Sequence, residues 1–199
     1  MSDLLLATTN RGKQREFARL LDGIPGRLLF PQDLGLDETV PEPHHTYAEN
    51  ATDKAVALSL ASGLPALADD SGLEVAALGW GPGVRTGRFG GDADDPVSLM
   101  LERLDGADDR RARMVCWLAL AVPRPGGEPS VELFDGVMEG SLATEKRGAA
   151  GFGYDPVFLL PSGMTTAQLP EVEKDRVSHR GRAVAAALPR IRELLAPGP

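Results

Sequence analysis

The chain has 199 residues, of which 42% are hydrophobic, enough for one sizeable folded domain. Its 29 acidic residues outnumber its 21 basic ones and give a formal charge of −8, which excludes a long stretch of nucleic-acid backbone as an expected partner. A small anionic ligand stays open, because a few cationic side chains in one pocket can hold it.

Cysteine usage and hydropathy indicate where the protein works. The single cysteine, Cys116, cannot form an intrachain disulfide, and this fits a reducing compartment. It lies in an apolar run, so we predict a buried, inert thiol rather than a nucleophile. The apolar run 4–7 is too short for a signal peptide, and no run approaches the roughly 18 apolar residues of a membrane span. We therefore predict a cytoplasmic protein that contacts no membrane.

The first part of the chain predicts alternating strands and helices, the order expected for an α/β fold. The predicted elements are a buried strand over 4–8, a helix with Phe17 on its apolar face, a strand over 27–30, a helix that runs from a capping box at Thr46 to Ser62, and a strand over 65–68 that ends at Asp69.

The second part of the chain predicts a second lobe, which a long hairpin forms. Its predicted elements are an irregular glycine-rich segment over 79–91, a helix over 96–104, two hairpin strands over 113–122 and 131–138, a strand over 157–160, and a last helix capped by Ser178. The long hairpin is expected to form the body of this second lobe.

A phosphate-binding loop is one interpretation of the segment between the first strand and the first helix. Hydroxyls, backbone N–H groups, a lysine and a helix N-terminus meet in the run Thr8-Thr9-Asn10-Arg11-Gly12-Lys13. The run is not a Walker A loop, because Gln14 follows Lys13 and the upstream glycine is absent. On the residues alone, an ordinary strand-to-helix turn explains the segment equally well.

Adjacent carboxylates at Asp69 and Asp70 follow the predicted strand over 65–68. Carboxylates at the C-terminal end of a strand are a common Mg²⁺ platform in α/β proteins. The alternative is a solvated turn or a helix cap. The strand would direct these acids to the same sheet edge as the phosphate-type loop, and this favours the metal interpretation.

An aromatic residue lies between two glycines in the run Gly151-Phe152-Gly153-Tyr154-Asp155-Pro156. The run is not a dinucleotide-binding fingerprint, because proline stands where the third glycine would be. The glycines could expose Phe152 as a platform on which a base stacks. The alternative is a turn whose aromatic ring packs inward.

Hydrogen-bond donors collect at the start of the last predicted helix, in the run Ser178-His179-Arg180-Gly181 with Lys174 before it. Such donors suit a keto oxygen or an anion. A structural role is the usual one for a lone histidine, but His179 has cationic neighbours. Cysteine and histidine nowhere show the spacing of zinc ligands.

Taken in chain order, these motifs closely resemble the Ham1/RdgB-type inosine triphosphate pyrophosphatases. The matching blocks are Thr9-Asn10 with Lys13, Glu49-Asn50 with Lys54, Asp69 to Leu73, Pro82-Gly83-Val84, Gly151 to Pro156, and Ser178 to Gly181. The chain departs from the family where Thr9 replaces a usual glycine. It departs again where Glu42-Pro43-His44 replaces a usual Glu-Thr-Gly.

The resemblance implies a fold and an activity. The fold is an elongated α/β domain over 1–199, with a mixed sheet, flanking helices and two lobes around a central substrate cleft, and it acts as a homodimer. The activity is Mg²⁺-dependent hydrolysis of dITP, ITP or XTP to the monophosphate and pyrophosphate, which cleanses the nucleotide pool. A pyrophosphatase for other modified nucleotides and a catalytically silent nucleotide-binding module are the two alternatives.

The resemblance also implies roles for individual residues. Asp70 would bind Mg²⁺ and act as the base that activates water, and Glu42 would be the second metal ligand. The residues that would bind the substrate are Thr8, Thr9, Asn10, Arg11, Gly12, Lys13, Lys54, Ser71, Phe152, Gly153, Tyr154, Asp155, Lys174, His179 and Arg180.

Overall fold

The structure of the chain is a computed structural model that describes residues 3–36, 40–91 and 93–197. The strands are β1 (Asp3–Leu6), β2 (Arg27–Leu29), β3 (Ala66–Val75), β4 (Gly81–Pro82), β5 (Arg111–Arg124), β6 (Gly127–Leu142) and β7 (Phe158–Leu159). The helices are α1 (Arg11–Leu20), α2 (Tyr47–Ser62), α3 (Pro96–Arg103), α4 (Glu171–Val177) and α5 (His179–Leu195).

The strands form one mixed sheet in the order β2-β1-β3-β5-β6-β7, with β4 paired to β3. Strand β1 runs parallel to both neighbours, and Leu5 is opposite Leu29 on one side and Ala66 on the other. Strand β4 is antiparallel to β3, and β7 is antiparallel to β6. The predicted α/β fold with a mixed sheet and flanking helices is confirmed.

The chain divides into two compact units, and the first comprises Met1–Asp70, Cys116–Gly136 and Arg180–Pro199. Its strands are apolar at successive positions because helices cover both sheet faces. Leu4 and Leu6 belong to a core cluster that also contains residues of α1 and α5. Leu5 belongs to another cluster, with residues of α2 such as Ala55. Alternating side chains of one strand thus enter different cores.

The second unit comprises Ser71–Val115 and Val137–His179 and has a core of its own. Helix α3 contributes Met100 and is followed directly by Leu104; both residues are fully buried and belong to the same cluster as Met138, Val157 and Phe158. Helix α3 begins where expected, because Pro96 occupies its first turn and the Asp95 side chain caps the Ser98 N–H. The strands β3, β5 and β6 contribute residues to both units.

Three features of the fold differ from the sequence predictions. The long hairpin of β5 and β6 does not form the second unit, because its part 116–136 belongs to the first unit, where Leu118 and Leu120 enter the core. Strand β3 does not end before Asp69, and it continues through the acidic pair to Val75. Polar residues suggested a turn, but both carboxylates are buried and have partners, so the strand does not need to end there. Helix α4 was not predicted, because it has no apolar stripe and Lys174 is its buried residue.

Within the part of the chain that the structure describes, no helix combines the length and the apolar character needed to cross a bilayer.

Candidate functional site

The loop between β1 and α1 forms a capped helix N-terminus, as the sequence predicted. Asn10 is the N-cap of α1, and its Oδ1 accepts a hydrogen bond from the Lys13 N–H at 3.0 Å. The Thr8 hydroxyl oxygen accepts one from the Asn10 N–H at 3.3 Å. Thr9, Asn10 and Arg11 are exposed to solvent. The geometry leaves the start of α1 accessible to an anion.

Asp69 is a buried anion held among cations of the first unit. Lys13 Nζ lies 2.8 Å from Asp69 Oδ2, and Arg180 Nε lies 3.6 Å from the same oxygen. Burial alone would raise the pKa of this carboxyl, but the charges of Lys13, Arg180 and Lys54 outweigh burial and hold its pKa well below its usual range. At neutral pH Asp69 is therefore a charged structural partner of the lysine at the phosphate-type loop.

Asp70, the next residue, has the opposite electrostatic environment. Burial raises its pKa above the usual value, and the nearby Glu42 carboxylate adds to that rise. Lys54 and a hydrogen bond from Asn50 work against this rise without cancelling it. The Asn50 side-chain N–H donates to Asp70 Oδ2 at 3.0 Å. A carboxylate with a raised pKa is a better proton acceptor than an ordinary aspartate, as a general base must be.

Lys54 joins the acidic residues of this site. Its Nζ donates to Glu42 Oε1 at 2.9 Å and to the Asp69 carbonyl at 2.5 Å, and it lies 3.9 Å from Asp70 Oδ1. The attraction of these acids raises the pKa of Lys54 despite the burial that would lower it. The Lys54 ammonium thus lies near both carboxylates, Glu42 and Asp70, that the family resemblance predicts as metal ligands.

This cluster offers two carboxylates to a Mg²⁺ ion, and the rest of the ion's ligands would come from water and substrate. The described ranges contain no group of three or more His, Cys, Asp or Glu side chains that could hold a metal ion. Mg²⁺ commonly takes one or two carboxylates and completes its shell with water and substrate phosphates. Glu42 and Asp70 both lie close to the Lys54 ammonium, and together they supply the two carboxylates of that requirement.

Two residues of the first unit were not among the predicted site residues. Glu16 lies on α1 and is buried, and its Oε2 accepts a hydrogen bond from Arg180 Nη1 at 2.9 Å. Asn50 is fully buried on α2 and contacts Asp70. Helical spacing could have indicated both, because Glu16 lies three residues after Lys13 and Asn50 four residues before Lys54.

The second unit carries a separate cluster centred on Asp155. This buried carboxylate accepts hydrogen bonds from the Phe152 backbone N–H at 2.8 Å, from the Thr166 hydroxyl at 2.8 Å and from Lys174 Nζ at 2.6 Å. Each carboxylate oxygen is engaged within the unit. Asp155 therefore organises the loop of Phe152, and Thr166 is a contributor that no sequence motif indicated.

The loop around Phe152 depends on its glycines. Gly151 has a φ of +78°, and a Cβ at this position would lie 2.0 Å from Asp155 Oδ2, so a side chain cannot be accommodated. Lys174 Nζ lies 5.3 Å from the centroid of the half-buried Phe152 ring. Tyr154 is buried, and burial raises the pKa of its hydroxyl to about 12.

The predicted site residues fall into both units. The first unit contains Thr8 to Lys13, Glu42, Lys54, Asp70 and Arg180, and the second contains Ser71, Phe152 to Asp155, Lys174 and His179. The structure brings Lys13, Lys54, Glu42, Asp70 and Arg180 into one network around Asp69. The roles assigned to these residues in substrate binding stay predictions.

Comparison with known proteins gives consistent results. The model of the Ham1 family matches residues 4–190. A dITP/XTP pyrophosphatase of Chromobacterium violaceum is 43% identical over 96% of this chain and 98% of its own length, and one of Symbiobacterium thermophilum is 45% identical over 98% of each chain. The solved structure of a HAM1 protein from Coxiella burnetii has a TM-score of 0.85 and 37% identity, covering 97% of this chain and all (100%) of that one.

Proposed function

The chain belongs to the Ham1 family, and on that basis we propose that it hydrolyses non-canonical purine nucleoside triphosphates such as dITP and XTP to the monophosphate and pyrophosphate. Such an activity cleanses the nucleotide pool. The observation that carries the proposal is the contrast between adjacent carboxylates, one held charged and one with a raised pKa. Environments that push the pKa values of neighbouring acids apart are typical of acid–base catalysis.

In the proposed reaction, Asp70 takes the proton of the attacking water. Its raised pKa improves it as a base, and Asn50 holds one of its oxygens. Asp69 does not share this role, because its carboxylate is committed to Lys13 and Arg180. A nucleotide-binding module without catalysis would have no use for a buried base of this kind, so the arrangement favours an enzyme.

The phosphate chain is assigned to the cationic part of the same unit. Lys13 and Lys54 carry positive charge close to Asp69 and Asp70, and the start of α1 presents N–H groups of its first turn. Cations and helix N-termini stabilise the charge that develops on a leaving pyrophosphate. Thr8, Asn10 and their neighbours in the loop would align the chain of phosphates.

We propose Mg²⁺ as the cofactor, held by Asp70 and Glu42. When bound, the ion would neutralise phosphate charge and polarise the bond that breaks. We also propose a cytoplasmic homodimer. The compartment is supported by Cys116, a free and buried thiol, and the dimer by the family resemblance.

The base is assigned to the cluster of the second unit. Phe152 would stack on the purine, and Lys174 and His179 would donate to its 6-keto oxygen. Adenine presents an amino donor at this position, so ATP would set donor against donor and bind poorly. Arg180, in the first unit, is proposed as a substrate-binding residue, and the contact it makes with Glu16 would fix its guanidinium.

A panel of nucleotides with Mg²⁺, scored for pyrophosphate and for orthophosphate, tests the proposal. Pyrophosphate should be the first product from dITP, ITP and XTP, with slow release from dATP and none in EDTA. Orthophosphate as the first product, or an EDTA-resistant rate, would contradict the mechanism. Preference for a pyrimidine or a methylated nucleotide would favour a different pyrophosphatase on the same fold.

A further inference from the structure

The side-chain amide of Asn50 is fully buried on α2, and the first unit provides partners for each of its polar atoms. Its Nδ2 donates to Asp70 Oδ2 at 3.0 Å and to the His44 carbonyl at 3.5 Å. Its Oδ1 accepts from the His44 N–H at 3.0 Å. A flipped amide would place Oδ1 against the Asp70 carboxylate and Nδ2 against the His44 N–H, and both contacts would be repulsive. The His44 backbone therefore fixes the orientation in which Asn50 donates to Asp70.

The same contacts connect two stretches of chain that the proposed mechanism uses. His44 follows Glu42 by two residues, on the loop before α2. Its ring Nε2 lies 2.7 Å from Asp53 Oδ2, which attaches this loop to α2. The Asn50 amide therefore links the loop of Glu42 with the strand of Asp70.

We propose that Asn50 is a positioning residue, which fixes the orientation of the Asp70 carboxylate and the place of the Glu42 loop beside it. The inference rests on the proposed function, because it assigns Asn50 a task in that reaction. The final torsion of an aspartate side chain is soft, so an unrestrained carboxylate samples a broad range of orientations. The Asn50 N–H restrains one oxygen, and Lys54 Nζ lies 3.9 Å from the other.

The expected consequence is a loss in turnover rather than in nucleotide binding. Partners that hydrogen-bond a metal-ligating or catalytic carboxylate typically account for about 10–100-fold in metal affinity or activity. The lysine of the phosphate-type loop at α1 pairs with Asp69, whereas Asn50 contacts Asp70 and the His44 backbone. Substitution of Asn50 should therefore reduce kcat and leave KM for dITP nearly unchanged.

The substitution Asn50→Leu tests this division most directly. Leucine has the same branched shape as asparagine, and it removes the donor to Asp70 without placing a second carboxyl beside that residue. We expect kcat for dITP to fall about 10–100-fold, with KM within about threefold of wild type. Ser59→Ala is the matched control. Ser59 is also buried on α2, but its hydroxyl donates to the Leu64 carbonyl at 2.9 Å. Its kcat should stay within about twofold.

A second measurement does not depend on turnover. Mn²⁺ binding to the substrate-free protein, followed by electron paramagnetic resonance, should be about tenfold weaker for Asn50→Ala than for wild type and for Ser59→Ala. Circular dichroism verifies folding, and Asn50→Leu decides alone if Asn50→Ala is unfolded. A kcat for Asn50→Leu within about twofold of wild type, or equal Mn²⁺ affinities, overturns the inference. If the wild-type protein releases no pyrophosphate, the proposed function fails, and the Mn²⁺ comparison alone decides the role of Asn50.

Discussion

Two asparagine substitutions should have different effects: Asp69→Asn should mainly lower the stability of the protein, and Asp70→Asn should mainly lower its turnover. Asp69→Asn removes the anion that Lys13 and Arg180 share, at 2.8 and 3.6 Å. Breaking a buried ion pair costs about 3–5 kcal/mol. Lys13 keeps 18% of its side chain exposed, so solvent screening places the cost near 3 kcal/mol, the lower end of that range. For a chain of 199 residues this loss lowers Tm by about 6–12 °C.

Asp70→Asn should behave differently. The raised pKa of Asp70 means that its charge is disfavoured in the folded protein, so a neutral side chain is tolerated. The new amide oxygen can still accept the hydrogen bond from Asn50. We expect Tm within about 2 °C of wild type. Turnover of dITP should fall at least about 100-fold, because the base is lost.

Thermal unfolding followed by circular dichroism at neutral pH in EDTA, beside pyrophosphate release with Mg²⁺, measures both effects. Equal Tm losses for the two variants would refute the reasoning, since the adjacent carboxylates would then have equivalent environments. Near-normal turnover of Asp70→Asn would transfer the role of base to another carboxylate.

Three further outcomes follow from the same contacts. Lys13→Ala should raise KM for dITP about tenfold through the loss of a charge-assisted contact, and an unchanged KM in a substrate titration would remove the α1 loop from the binding site. Phe152→Ala should raise KM about 5–150-fold if stacking contributes about 1–3 kcal/mol, and a KM equal to that of wild type in steady-state kinetics would place the base elsewhere. Because the pKa of Asp69 is lowered, its stabilisation is present at neutral pH and is lost as the pH falls below about 4. Between about pH 4 and lower values, the free energy of unfolding should therefore fall more steeply for wild type than for Asp69→Asn. Equal slopes for the two proteins in acid unfolding would contradict the lowered pKa.

Strong local signals made much of the fold predictable. The capping box at Thr46 and Glu49 predicted the start of α2, and the Glu49 N–H donates to the Thr46 hydroxyl oxygen at 3.3 Å. Such signals need only neighbouring residues. The apolar runs of β1 and β5 were equally direct, since a strand covered on both faces is apolar throughout.

The part that could not be predicted depends on partners distant in sequence. Consecutive aspartates read as the end of a strand, because isolated carboxylates favour turns. They lie inside β3 because Lys13 and Asn50 compensate their burial. The motif residues were identified from local patterns, but the opposite pKa shifts of Asp69 and Asp70 arise from three-dimensional neighbours.

The contact between Glu16 and Arg180 joins the first and last helices of the described chain, with a sequence separation of 164 residues. A contact of this span forms late, because a long loop must close before it can be made. On the ribosome, the strands and helices of the N-terminal segment emerge well before α5. The electrostatic environment of Asp69 is completed only when Arg180 arrives. A nascent chain that pauses before this point would carry an incompletely compensated acid in an unfinished core, and partly folded species of this kind are prone to aggregate.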